Sequence, residues 1–172
     1  MRLYVMRHGP AEDRAPTGRD ADRALTVPGR DVVDRAARAL LEARAAMVQH
    51  DGAASGPDPG AVPLRVLSSP YRRAWETAEI VAGVIGDGEP EPHGDLAGDA
   101  DVPFALVREV RAAGRDVILI GHQPFVEELV RMLVHPARPS LGNGFRTATI
   151  AALEDAGERW HLTTVIDPHA GR

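Results

Sequence analysis

Apolar positions along this chain follow two rhythms, and the alternation between them predicts the fold. Leu3-Tyr4-Val5-Met6 is a continuous apolar run closed by Arg7-His8-Gly9-Pro10. A run that short, stopped at once by Gly-Pro, reads as a buried strand. Leu64 to Leu67 has the same form. Val117 to Ile120 is the strongest strand signal, and Gly121-His122-Gln123-Pro124 breaks it. Between these runs the spacing becomes helical. Val32, Val33, Ala36, Ala37, Leu40 and Leu41 share one face, while Arg35, Arg38 and Glu42 occupy the others. Ala74, Ala78, Val81 and Ala82 mark a second helix, the stretch from about Pro103 to Ala113 a third, and Phe125 to Val134 a fourth. Thr26 is placed to cap the first helix. Ser69 is expected as N-cap of the second, with Pro70 at its first helical position. Thr147 to Leu153 and Trp160 to Ile166 flank Asp155-Ala156-Gly157-Glu158, which predicts a terminal β-hairpin. Strands alternating with helices make this an α/β chain: a three-layer sandwich with a mostly parallel central sheet flanked by helices. The hairpin would add antiparallel edge strands.

The remaining segments are polar. Residues 10–23 read as mobile, and His50 to Pro63 and Gly86 to Asp101 read as surface loops within one domain, residues 1–172. A chain of 172 residues suits one core of useful size. It has no cysteine, which excludes disulfides, thiolate nucleophiles and Cys-based zinc sites. A formal charge of −5 gives no bulk electrostatic support for nucleic-acid binding, so an anionic ligand would need a local cluster of arginines. No stretch reaches the roughly 18 apolar residues of a membrane span. The apolar run at the N-terminus is too short for a signal sequence. The expectation is a cytoplasmic monomer with no nucleic-acid or membrane partner.

Three predicted strands end in residues able to do chemistry. The first ends in Arg7-His8-Gly9, the second runs into Ser69-Pro70-Tyr71-Arg72-Arg73, and the third ends in Gly121-His122. Ligands of open α/β sheets bind outside the carboxyl ends of the strands, so these segments converge on one edge. Arg72 and Arg73 add a second argument. A helix N-terminus disfavours cations, and two adjacent arginines there suggest a bound anion that accepts helix N–H groups and a guanidinium together. Arg72 is expected to point into water and Arg73 into the site.

With these residues in view, the chain resembles the histidine phosphatase superfamily, also called phosphoglycerate-mutase-like. Met6-Arg7-His8-Gly9 is similar to its Arg-His-Gly signature, and Leu25-Thr26-Val27-Pro28-Gly29 to its Leu-Thr-x-x-Gly segment. Ser69-Pro70-Tyr71-Arg72-Arg73-Ala74-Trp75-Glu76-Thr77 resembles its Ser-Pro-x-x-Arg-Ala-x-x-Thr pattern, and Gly121-His122 its second histidine. The motifs occur in the family's order. The short length, Gly121-His122-Gln123-Pro124-Phe125-Val126, and Leu96 followed by Gly98-Asp99 look most like SixA-type phosphohistidine phosphatases.

The resemblance implies a phosphoglycerate-mutase-like fold and hydrolysis of protein phosphohistidine through a phosphohistidine intermediate on His8. Arg7, Arg73 and a protonated His122 would stabilise the phosphoryl group, with Gly9 also among the substrate-binding residues, without a metal or other cofactor. Gly9 and Gly121 are expected to let the backbone turn sharply beside the two histidines. Larger relatives carry a glutamate as general acid after the Arg73-type helix. Here that region holds Glu89, Glu91, Asp95, Asp99 and Asp101, none in a recognisable acid motif. A phosphoramidate can be protonated on its own leaving nitrogen, so this departure favours phosphohistidine over a sugar phosphate.

The alternatives are a small-molecule phosphomonoesterase or mutase of the same superfamily and, less favoured, a non-catalytic phospho-ligand binding module. No Gly-x-Gly-x-x-Gly or Walker sequence supports a nucleotide site. His50, His93, His135, His161 and His169 share no ligand spacing and read as surface or structural. Trp75 and Trp160 read as core or rim residues, and Glu127 and Glu128 as a solvated face.

Overall fold

The computed structural model describes residues 1–50, 64–85, 88–97, 104–135, 141, 144–157 and 159–170. Its strands are β1 (Arg2–Arg7), β2 (Leu64–Ser68), β3 (Glu91–Pro92), β4 (Asp116–Gly121), β5 (Ile150–Asp155) and β6 (Trp160–Ile166). Its helices are α1 (Val27–His50), α2 (Arg72–Ile85), α3 (Phe104–Ala112) and α4 (Phe125–Leu133). The six strands form one sheet in the order β3-β2-β4-β1-β5-β6. The first four of these are parallel, while β5 and β6 run antiparallel as a terminal hairpin.

The apolar runs sort by alternation into two cores. Leu3, Val5, Val117 and Leu119 face α3 and α4, meeting Leu106, Val110, Phe125, Val126, Leu129 and Val130. Tyr4, Met6, Ile118 and Ile120 face α1 and α2, meeting Val33, Ala36, Ala37, Leu40, Ala74, Ala78 and Val81. Neighbouring residues of one strand thus serve opposite layers. That is why these strands are continuously apolar instead of alternating with polar residues. All six residues of β4 are buried. Thr26 Oγ1 accepts the Gly29 N–H at 3.0 Å, so the cap of α1 forms as expected.

Four details differ from expectation. Helix α2 begins at Arg72, two residues later than the Ser-Pro signal implied, and the Ser69 hydroxyl accepts the Tyr71 N–H just ahead of it. Residues Glu91–Pro92 pair with the end of β2 inside what reads as loop, a strand too short to show any period. The 10–23 stretch is pinned in place: Ala11 bridges Leu25, the Glu12 N–H donates to Ala24 O at 2.9 Å, and Asp20–Asp22 form a 3₁₀ turn. Gly9 and Gly121 are needed for closeness instead of turning. A Cβ on Gly9 would run into Val33 Cγ2 of α1, and one on Gly121 would lie 3.2 Å from Val126 Cγ1. The loop read over His50 to Pro63 lies, after residue 50, outside the described residues.

Candidate active site

Parallel register brings the three motif-bearing strand ends together. Arg7 pairs with Gly121 and Ser68 with Ile120. The His8 N–H extends this pattern to Gly121 O at 3.0 Å, and the Ser69 N–H to Ile120 O at 2.9 Å. His8 and His122 therefore leave adjacent strands side by side, with ring centroids 5.0 Å apart. Arg73 arrives from the first turn of α2 and donates from Nε to His8 Nε2 at 3.2 Å. All three side chains are buried.

The backbone around His8 is fixed from several sides. The Gly9 N–H donates to Thr77 Oγ1 at 3.1 Å, and that hydroxyl donates to Arg73 O at 2.7 Å, tying β1 to α2. Ala148 gives its N–H to both Arg7 O (3.0 Å) and His8 O (3.1 Å). It does so from φ 61°, a left-handed conformation costing a non-glycine residue roughly 1–2 kcal/mol.

The hydrogen bonds assign the His8 tautomer. Nδ1 lies 2.7 Å from Gly9 O, and a carbonyl only accepts, so Nδ1 carries the proton. Nε2 is left with its lone pair, directed at Arg73. Burial pushes the His8 pKa down from 6.5 to about 4, with Arg73 and Arg7 adding to the effect against the Gly9 hydrogen bond. His8 is a neutral imidazole at pH 7, the form that attacks electrophiles.

His122 is held even more firmly. Its Nε2 is 2.8 Å from Ser69 Oγ, which also accepts the Tyr71 N–H at 3.2 Å. Tyr71 packs against His122 at 5.0 Å and lies under the Arg73 guanidinium at 5.2 Å. Burial lowers the His122 pKa to about 3, helped by His8, Arg73 and Arg7 and opposed by Asp20. Protonation of His122, expected from the resemblance, is disfavoured by this burial and by the neighbouring cations. An anion there would reverse part of the repulsion.

Arg7 donates from Nη1 to Phe145 O at 3.1 Å. Its pKa is lowered by burial and by Arg73. Arg7 Nε and His122 Nδ1 are buried without a hydrogen-bond partner among the described residues. Leaving such groups unpaired costs about 1–3 kcal/mol each. A buried guanidinium from Arg73, a half-buried one from Arg7, orphaned polar atoms and a neutral nucleophile gathered together fit a tetrahedral oxyanion.

Arg72 points outward as expected, donating to Glu76 Oε1 at 2.9 Å. Glu76 was not singled out by sequence reasoning, yet it organises the pocket wall. It is buried, accepts the Leu25 N–H at 2.8 Å and pairs with Arg30 at 2.7 Å. Asp20 was also missed. Its main-chain O and Oδ2 accept from the two terminal nitrogens of Arg73 at 2.7 and 2.9 Å.

Of the five acids considered as proton donors, Glu91 is tied to Arg65 at 2.7 Å. Glu89 lines a separate groove with Trp75 and Glu79. Asp95 lies on the 3₁₀ turn Gly94–Leu96, next to Leu96, which approaches Gly121. Asp99 and Asp101 lie outside the described residues. Among the described residues no group of three His, Asp or Glu side chains is placed to hold a metal ion, and no helix is long and apolar enough to cross a membrane.

Comparison with known proteins places this arrangement. The SixA protein histidine phosphatase, solved with tungstate, matches with a TM-score of 0.73 at 26% identity, over 98% of this chain and 97% of that one. A protein of Nakamurella multipartitia assigned as the phosphohistidine phosphatase SixA matches with a TM-score of 0.67 at 25% identity, over 98% and 96%. Mycobacterial glucosyl-3-phosphoglycerate phosphatase shares the fold, with a TM-score of 0.63 at 20% identity over 95% of each chain. In sequence, an uncharacterised protein of Picosynechococcus sp. is 32% identical over 131 residues, 74% of this chain and 70% of that one. No family model matches. The chain belongs to the histidine phosphatase superfamily. Its structural neighbours are phosphatases, which supports an enzyme.

Proposed function

We propose that this protein hydrolyses phosphohistidine on proteins, with His8 as the nucleophile and Arg7, Arg73 and His122 as the phosphoryl-binding groups. The observation that carries the proposal is the His8 ring: neutral, with its proton on Nδ1 and its Nε2 lone pair beside Arg73. The SixA neighbour, a histidine phosphatase solved with a tetrahedral oxyanion, supports the same reading.

Substrate enters with its phosphoryl oxygens on Arg7 and Arg73 and displaces the Arg73 Nε–H from His8 Nε2. The lone pair then attacks phosphorus in line with the leaving nitrogen. The P–N bond breaks with its electron pair going to the substrate imidazole, which carries a proton on its other nitrogen and so leaves neutral, and a phosphorus–Nε2 bond forms on His8. Water attacks this phosphohistidine next, giving phosphate and returning neutral His8. Charge on the equatorial oxygens is met by the two guanidiniums throughout. The dianion also favours protonation of His122, which then donates to it. No step is routed through a metal.

The smaller-substrate reading would require a proton donor for an alkoxide. Asp95 is the acid of the 88–97 stretch best placed for it, since its turn abuts β4.

The test compares phosphate release from a phosphohistidine-bearing protein and from p-nitrophenyl phosphate, with EDTA present and a His8→Ala control. Faster release from the phosphoprotein, lost in the control, is expected. Preference for the monoester would replace the substrate class. Oxyanion binding with no turnover of either substrate would favour a binding module.

A further inference from the structure

The phosphoryl-gripping edge of Arg73 is already occupied by a group from the chain itself. Arg73 Nη1 donates to Asp20 O at 2.7 Å, Nη2 to Asp20 Oδ2 at 2.9 Å, and Nε to His8 Nε2 at 3.2 Å. The second carboxylate oxygen of Asp20 accepts from Arg23 Nη1 at 2.8 Å, and Arg23 Nε is anchored on Glu12 O. One carboxylate is therefore clamped between two guanidiniums, one inside the pocket and one on its rim. The Arg73 side chain is 7% exposed and that of Asp20 is 59% exposed, so the carboxylate sits where the pocket opens to water.

We propose that Asp20 is a specificity-determining residue: its carboxylate competes with anionic groups for Arg73 and favours substrates whose leaving group carries positive charge. The proposal rests on the phosphatase reading and names the leaving-group class within it. His8 lies on the pocket floor. In-line attack therefore places the leaving group opposite, towards solvent, on the side of the exposed Asp20. Arg23 first, and then Arg73, keep the Asp20 carboxyl below the usual range, so it is ionised at neutral pH.

A phosphoryl group settling on Arg73 displaces the carboxylate but leaves it close by. An ester oxygen that gains negative charge as it departs meets a like charge there. A phosphorylated imidazole protonated on its other nitrogen meets an acceptor for that N–H. The P–N bond then breaks with its electrons passing to the ring, which leaves neutral and keeps the proton that Asp20 accepts. Atoms and charge balance without an external acid, which matches a pocket in which no acid was recognisable from the sequence.

The experiment uses the full chain as wild type, Asp20→Asn and Asp20→Ala, with thermal melts to confirm that all three fold. The asparagine keeps the shape and removes the charge, and the alanine is the second variant should one fold poorly. Inorganic phosphate binding is measured by calorimetry. The kcat/KM values are measured on phosphoimidazole and on p-nitrophenyl phosphate. Removing one half-exposed like charge should tighten phosphate binding at least about fivefold and lower the phosphoimidazole-to-ester ratio of kcat/KM at least about fivefold. A smaller change in either quantity, or a parallel fall in both kcat/KM values, overturns the proposal and leaves the phosphatase reading standing. Turnover of neither substrate by the wild type removes the phosphatase reading, and this proposal with it.

Discussion

The same strands bury charge at both ends, and the two ends treat it differently. At the end where β1 and β4 begin, Arg44 lies 3.8 Å from Asp116, and the other Asp116 oxygen accepts the Arg2 N–H at 2.7 Å. Arg44 also sits 6.0 Å over the Tyr4 ring. Cation and anion are both buried and both come from core elements. At the opposite end Arg7 and Arg73 crowd two neutral histidines, and the anion that reaches Arg73, Asp20, comes from an exposed turn. Closed pairing of the first kind holds structure together. Cations left to a displaceable partner form a site waiting for a ligand.

Several variants can break or sharpen this contrast. The largest effect is expected from His8→Ala, which removes the attacking atom and should lower kcat by at least about a thousandfold. Next, Arg73→Gln should cost about 10²–10³ in kcat/KM while changing stability by no more than about 1 kcal/mol. Asp116→Ala should do the reverse. It removes the buried anion beside Arg44 and the acceptor of the Arg2 N–H, at a cost of about 3–5 kcal/mol in denaturant unfolding, with kcat/KM of the folded enzyme within about twofold. A large stability loss in Arg73→Gln, or an activity loss in folded Asp116→Ala, would erase the distinction.

The histidines give a pH test with a definite sign. The unfolded chain binds protons at His8 and His122 from about pH 6.5 downward, while the folded chain resists until about 4 and 3. Their contribution is therefore complete above pH 6.5 and is lost as pH falls towards 4, by about 1.4 kcal/mol per pH unit for each group. The His8→Gln/His122→Gln double variant should flatten that slope in urea titrations across pH 4–7. Bound phosphate should restore protonation of His122, so phosphate binding should take up protons in calorimetry with buffers of different ionisation heat. The smallest effect is expected at Arg72. Arg72→Ala should change stability by about 0.5 kcal/mol and kcat/KM by less than about twofold, because Arg72 is mostly exposed and Glu76 keeps its bonds to Arg30 and the Leu25 N–H.

What the sequence revealed follows the same division between local and long-range causes. Short apolar runs such as Leu3 to Met6 and Val117 to Ile120 announce buried parallel strands. A strand end fixes where the next side chain goes, so His8 and His122 could be placed on one edge from the sequence. Arg73 followed from the first turn of α2 together with the motif. What stayed hidden depends on partners far along the chain. Ser69 has the sequence context of a helix cap, but its hydroxyl bonds His122, 53 positions away. Asp20 lies in a polar stretch without periodicity, and only its contact with Arg73, again 53 positions away, gives it meaning. Gly9 looks like a turn residue, and its need for a bare Cα comes from Val33 on a packed helix. Glu76 stands next to Thr77 on a helix whose buried face is otherwise mostly apolar, and a buried glutamate amid alanines and valines was the available hint.

The proposed mechanism requires a bond between His8 Nε2 and phosphorus. Rapid acid-free quenching during turnover of the phosphohistidine substrate, followed by peptide mass spectrometry, tests it directly. A phosphoryl group is expected on the peptide containing His8, stable in alkali and lost in acid, and absent from His8→Ala. Full turnover with no labelled enzyme under trapping conditions, or a label on His122 instead, would contradict it.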